Sequence, residues 1–353
     1  MTPTKRVGRI AAALTVPALL LPLAACGDSE PSGPVATVSG DAGEQPEIDI
    51  DSKQVGSDVV SEVLSEGDGA EVGKGDYLRL DVLARTTSDN EDLVNTWSAG
   101  TGEESTGGDN AEGDDEESAD TPRQQVTAQA GEDSLLLATV TEPLVGTHVG
   151  SRVMVQGRAT DMIGQAAQQM GLDEDEGVVW VIDVVAASSV DPTSRVEGEQ
   201  APPDEGMPTV EADAAEAATI TIPEGEDPPE ELRDQVLIQG EGPEVESGQA
   251  LVIQYTGVTW ADGEMFDSSW ERDAASAFQI GTGQVVQGWD QGLVGKHVGD
   301  RVLLVIPRTS GTGTRTPARS PQAPHWCSSS TSSASHDGTP PGVPRHLRAS
   351  AQE

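Results

Sequence analysis

Few side chains in this sequence could carry covalent chemistry. Its two cysteines, Cys26 and Cys327, are too few for a disulfide scaffold or a Cys-rich zinc site. Its five histidines are scattered, and two of them, His148 and His297, each precede a Val-Gly turn, which reads as a structural or surface role. Gly281-Thr282-Gly283 has no strand-then-helix context for cradling phosphate and reads as a turn. What remains is a set of rings, Tyr255, Phe266 and Trp289, with Asp267 among them. Taken singly, each ring reads as plain core and Asp267 as a turn or cap residue. Any chemistry must therefore come from their combination.

Composition narrows the classes further. The 353 residues hold 20 Lys plus Arg against 61 Asp plus Glu, a net charge of −41. A nucleic-acid binder held by phosphate contacts needs a basic face and is excluded. Hydrophobic residues make up 35% and aromatics 3%, well below the ~45–50% apolar content of an average soluble domain. The chain is thus predicted to hold about two domains, with its acid, Gly and Pro concentrated in linkers and loops.

The N-terminus begins with Lys5, Arg6 and Arg9, then an apolar run from Ile10 to Ala25 broken by Pro17 and Pro22. That run is shorter than the ~20 residues of a bilayer span and carries the signature of a secretory signal peptide. Its exit, Leu23-Ala24-Ala25-Cys26-Gly27, resembles the lipobox of bacterial lipoproteins, which implies a diacylglyceryl group on Cys26 and a cell-membrane anchor on the extracytoplasmic face. Residues 1–25 are then the signal peptide and 26–47 a flexible tether.

An internal repeat organises the rest. Val63-Leu64, Gly67-Asp68-Gly69 and Glu71-Val72 recur 173 residues later as Val236-Leu237, Gly240-Glu241-Gly242 and Glu244-Val245. Leu144-Val145-Gly146-Thr147-His148-Val149-Gly150-Ser151-Arg152-Val153 recurs only 149 residues later, as Leu293 to Val302. The first copy therefore carries an insertion, supplied by the Asp, Glu, Gly and Ser of about 101–121. These acids lack the spacing of a calcium loop, and a disordered, solvated insertion is expected. The predicted domains are 48–188 and 218–307, joined by a linker at 189–217. Alternation at Leu251–Thr256 and apolar runs at Val178–Val185 and Val302–Ile306 mark strands; helical signal is confined to a short piece at Trp289–Leu293.

The second copy reads Tyr255-Thr256-Gly257, Asp262-Gly263, Phe266-Asp267-Ser268-Ser269, Gly281-Thr282-Gly283, Gly288-Trp289-Asp290 and Gly299-Asp300-Arg301 in order. Together these resemble the FKBP-type peptidyl-prolyl cis-trans isomerases, over the second copy to Pro307 and more weakly over the first. The resemblance implies an α+β fold: two domains, each a twisted antiparallel sheet wrapped on a short helix. It implies a proline pocket with Trp289 as floor, Tyr255, Phe266, Val285 and Val286 as walls, and Asp267 at the rim paired with Arg272. Ser276 stands where the family often has an aromatic. It also implies proline-containing exported polypeptides as substrates, binding of tacrolimus-type macrolides, and no cofactor or metal. An Xaa-Pro bond must cross ~18–20 kcal/mol because resonance stiffens the amide. A dry pocket that favours the twisted amide over both planar forms lowers that barrier with no bond broken. A non-catalytic chaperone or binding lipoprotein built on the same domains is the alternative.

The repeat alignment puts Val82 at the Tyr255 position, Leu93 at Phe266, Val94 at Asp267 and Val140 at Trp289. The first domain is accordingly expected to keep the scaffold and lack activity. After Pro307 the composition changes: residues 308–353 hold five Arg and two acids, with Ser, Thr and Pro dominant. The family's Gly-Tyr-Gly loop and apolar last strand are not written there. A one-base shift of the reading frame, with permitted GC-rich codons, can turn Thr309–Gly313 into Asp-Leu-Gly-Tyr-Gly and His325–Ser333 into Leu-Val-Phe-Val-Val-Asp-Ile-Leu. The tail reads as a frameshift product, which re-sequencing the gene tests. Without a closing strand, the second domain is expected to fold poorly and to have low activity.

Overall fold

The computed structural model describes residues 33–98, 122–212, 216–307 and, for the backbone path, 326–334. Cys26, the apolar run at 10–25 and the whole of the 101–121 insertion lie outside the described residues.

The first half opens with a hairpin, β1 (Ala36–Ser39) and β2 (Glu47–Ile50). It continues through β3 (Val60–Ser65), β4 (Tyr77–Thr86), β5 (Asp92–Asn95), β6 (Val126–Gln129), α1 (Ala138–Thr141), β7 (Arg152–Arg158), α2 (Ala159–Ile163), α3 (Gln165–Gln169) and β8 (Gly177–Ser188). The second half repeats the plan: hairpin β9 (Thr209–Glu211) and β10 (Thr219–Thr221), then β11 (Arg233–Ile238), β12 (Ala250–Thr259), β13 (Met265–Ser268), β14 (Ser276–Gln279), α4 (Gln287–Leu293), β15 (Arg301–Ile306) and β16 (Trp326–Ala334). The two six-stranded sheets are antiparallel and share one strand order, β3-β7-β8-β4-β5 with β6 on β4, and β11-β15-β16-β12-β13 with β14 on β12.

The apolar runs follow from this layering. In β15, Val302, Leu304 and Ile306 pack with Trp289 on the inner face, while Leu303 and Val305 pack under the β9–β10 hairpin on the outer face. A strand covered on both sides reads as continuous hydrophobe. In the first half Val153 and Val155 face inward and Met154 outward, under β1 and β2.

The repeated glycines have a common steric cause. A Cβ on Gly67 would stand 2.2 Å from the Val149 carbonyl oxygen, and one on Gly240 would stand 2.3 Å from that of Val298. At the same crossing the Gly67 N–H donates to Ser151 Oγ at 2.9 Å and the Gly240 N–H to Asp300 Oδ1 at 2.6 Å. His148 and His297 form equivalent bridges to Glu71 and Glu244 beside these turns.

Three expectations need correction. Part of the stretch expected to be a tether, and of that expected to be a linker, is folded. Val38 pairs with Ile48 and Val210 with Ile220, so each half has a hairpin laid on the outer face of its sheet. These segments are short and rich in Gly, Pro and acid, so no strand period shows; the apolar sheet face orders them. Equivalent arginines tie them down. Arg152 donates to the Gly40 and Glu44 carbonyls at 2.8 and 2.5 Å, and Arg301 donates to Gln200 Oε1 at 3.0 Å. Helix is also not confined to one short piece, since α2 and α3 bury Ala159, Met162 and Ala167 against the first core.

The third correction concerns the closing strand. The backbone of Trp326–Ala334 runs between β12 and β15, pairing Tyr255 with Ser330 and Val302 with Ser330. β8 fills the same slot in the first half, pairing Val82 with Ile182 and Val153 with Ile182. The ladder needs only backbone N–H and C=O groups, which a Ser-rich segment supplies as well as a Val-rich one. The sheet is therefore not left with its two inner strands unpaired.

Candidate functional site

The site lies where β12, the β13–β14 segment and α4 meet. Tyr255 sits mid-β12 with its ring buried against the helix. Its backbone is fixed on both sides: its N–H donates to Ser269 Oγ at 2.7 Å, and its carbonyl accepts from the Ser269 N–H and the Ser268 hydroxyl, each at 3.1 Å. The Ser268-Ser269 pair is thus a positioning device for the phenol.

Trp289 is in the first turn of α4, and its N–H donates to the Val286 carbonyl at 2.8 Å. The indole meets the Tyr255 ring edge-on, with centroids 5.1 Å apart and an 82° interplanar angle. Phe278 of β14 meets the indole from another side at 5.3 Å and 75°. Such edge-to-face pairs contribute ~0.5–1.5 kcal/mol each beyond area burial. Val285 and Val286 pack against the same cluster. Asp290 locks the helix start to the preceding turn, its carboxylate accepting from the Gly281 N–H at 2.7 Å and the Gly283 N–H at 2.8 Å.

A polar network caps the rings. The Tyr255 hydroxyl donates to Asp267, and Arg272 pairs with the same carboxylate. Arg272 Nη2 donates to Tyr255 Oη at 2.8 Å and to Ser276 Oγ at 3.4 Å, and its guanidinium lies 5.5 Å from the centre of the Tyr255 ring. Burial alone would raise the Asp267 pKa, but the hydrogen bonds from Tyr255 and Arg272 and the guanidinium charge hold it below the usual carboxylate range. Burial pushes the Tyr255 phenol up, and the hydrogen bond to Asp267 adds to that. The carboxylate therefore stays charged and the phenol neutral at physiological pH.

Tyr255, Trp289, Val285, Val286, Asp267 and Arg272 thus converge on one site. Phe266 sits at its edge: it is 38% exposed, and its ring covers the Gly257 backbone, where a Cβ would lie 2.4 Å from Cζ. Sequence reasoning passed over Phe278, which shortly precedes Gly281-Thr282-Gly283, and Asp290, which stands inside Gly288-Trp289-Asp290. A strand aromatic three residues before a Gly-rich turn is the signal that could have found Phe278. Among the described residues no group of His, Cys, Asp or Glu is arranged to hold a metal ion.

In the first half the same backbone positions carry other side chains. The pairing of Leu78 with Ala128 matches that of Leu251 with Phe278. Val82, Ala128 and Val140 therefore replace all three rings, and each is buried in a filled core that also takes in Trp180, Leu93 and Val94.

This geometry agrees with comparisons to known proteins. The family model for FKBP-type peptidyl-prolyl cis-trans isomerase matches residues 242–325. An FK506-binding protein of Streptomyces anulatus is 42% identical over 100 residues, covering 28% of this chain and 80% of that protein. The peptidyl-prolyl cis-trans isomerase FPR2 of Saccharomyces cerevisiae is 41% identical over 68 residues, covering 19% of this chain and half of that protein. Among solved structures, the crystal structure of AtFKBP13 is 30% identical, covering 30% of this chain and 91% of that one, with a TM-score of 0.26. The chain belongs to the FKBP-type peptidyl-prolyl cis-trans isomerase family.

Proposed function

We propose that the second half accelerates rotation about Xaa-Pro bonds in exported polypeptides, from a lipid anchor at Cys26 on the outer face of the cell membrane. The observation that carries the catalytic reading is the cluster of Tyr255, Phe278 and Trp289 beneath the Asp267–Arg272 pair. A prolyl ring seated on the indole is shielded from water. The preceding carbonyl, freed from amide resonance as it turns, then loses less solvation than it would from a planar start. The Tyr255–Asp267–Arg272 network fixes the rim, so no reorganisation is needed as the amide twists. No nucleophile is required, because no bond breaks. The same ring-lined site suits tacrolimus-type macrolides. The first half, which keeps the sheet and lacks the rings, is a catalytically silent domain of the same family.

Two-dimensional exchange NMR of an Ala-Leu-Pro-Phe tetrapeptide with catalytic amounts of the full chain tests this. The chain should speed cis–trans exchange, and Trp289→Leu should lower kcat/KM about thirtyfold, equivalent to ~2 kcal/mol of barrier. Exchange no faster than in buffer would refute the proposal. Metabolic labelling with palmitate tests the anchor, with Cys26→Ser expected to abolish incorporation.

A further inference from the structure

The two halves touch beside the prolyl site. β6 of the first half and β14 of the second run along each other: Thr127 Oγ1 donates to the Ala277 carbonyl at 3.0 Å, Tyr77 Oη to that of Ala275 at 3.4 Å, and Gln284 Nε2 to that of Gln125 at 2.9 Å. Between them opens a cleft of about 420 Å³. Tyr77, Ala128 and Leu135 line it from the first half, and Ser276, Phe278 and Val285 from the second.

The second-half residues belong to the catalytic site as well. Phe278 meets Trp289 edge-on, Val285 packs on the same cluster, and Ser276 is hydrogen-bonded to Arg272. The cleft thus shares Ser276, Phe278 and Val285 with the ring cluster and its polar cap. At its mouth Leu135 is 74% exposed, a large apolar side chain in water with no packing role to account for it. A chain whose proline occupies the pocket must run its neighbours past the rim, and one direction leads here.

We propose that this interdomain cleft binds the substrate polypeptide, taking an apolar side chain two or more residues from the target proline. The silent half then acts as a specificity surface for unfolded, apolar-rich clients. This rests on the isomerase reading above.

The test compares a dodecapeptide with a Leu-Pro core and apolar flanks, the same core with Ser flanks, and the tetrapeptide. Apolar flanks should raise kcat/KM about tenfold over Ser flanks, the value expected for burying one large aliphatic group. Leu135→Asp should erase that preference and leave the tetrapeptide rate within twofold; Leu135 is too exposed for the change to unfold the protein. Equal rates for both flanks, or a preference that survives Leu135→Asp, would overturn the proposal. So would a change in sedimentation with Leu135→Asp, which would make the patch a self-association face. Should the unaltered chain isomerise no peptide, the catalytic reading fails separately. Fluorescence anisotropy of the labelled apolar dodecapeptide then decides the cleft, with binding lost in Leu135→Asp supporting it and binding absent or unchanged refuting it.

Discussion

The two halves hold one backbone plan and opposite interiors. In the second, Tyr255, Phe278 and Trp289 gather under a polar cap, and the strand that closes the sheet is written Trp-Cys-Ser-Ser-Ser-Thr-Ser-Ser-Ala. In the first, Val82, Ala128 and Val140 take the ring positions, and a large ring, Trp180, enters the core from the apolar closing strand. Register pairs, glycine crossings and outer hairpins are otherwise the same. The difference teaches that the shared scaffold and the ring cluster are set by separate residues: the glycines and ladders build the sheet, and three side chains distinguish the two interiors.

The largest expected effect falls on the first half. Arg152 and Asp183 form a buried ion pair at 2.6 Å that also holds the hairpin loop. Arg152→Ala strands the carboxylate and should cost ~3–5 kcal/mol in urea unfolding of that half. Isomerisation of the tetrapeptide should persist, because both residues of this pair belong to the sheet of the first half. Loss of tetrapeptide activity would mean the halves are not energetically separable.

A smaller effect sharpens the contrast between closing strands. Ser330 occupies the ladder position that Ile182 holds in the first half, between Tyr255 and Val302. Ser330→Ile should stabilise the second half by up to ~1 kcal/mol in denaturant unfolding, in line with the strand preference of β-branched residues over Ser. A destabilisation would contradict the ladder position given to this segment.

The smallest effect is on pH dependence. Asp267 is held below its ordinary pKa, so its ionised form favours the folded site above the unfolded value of ~3.9 and loses that contribution as pH falls through the folded value. Tyr255 is raised above ~10 and stays neutral. kcat/KM should therefore be flat from about pH 5 to 9 and fall below about pH 4. A titration near pH 6–7 would point to a group outside this network.

Much of this was legible in the residues. The motif order located Tyr255, Asp267, Arg272 and Trp289 because glycines at tight crossings and a Gly-Trp-Asp helix start leave sharp marks. The hairpins at 36–50 and 209–221 were not legible, since four-residue strands among Gly and acid show no period and owe their order to the sheet beneath. Residues 326–334 carry no strand signal in their sequence, because a ladder position is a property of the backbone, whereas strand signals are a property of side chains. Phe278 hid as an ordinary strand aromatic until the register placed it opposite Leu251.

The claim that the pocket exists in one half and not in the other is tested most directly by backbone amide shifts of the full chain titrated with the Ala-Leu-Pro-Phe tetrapeptide. The expected shifts centre on Tyr255, Ser268, Phe278 and Trp289, with Val82, Ala128 and Val140 silent. Saturable shifts at those three first-half positions, or none around Trp289, would contradict it.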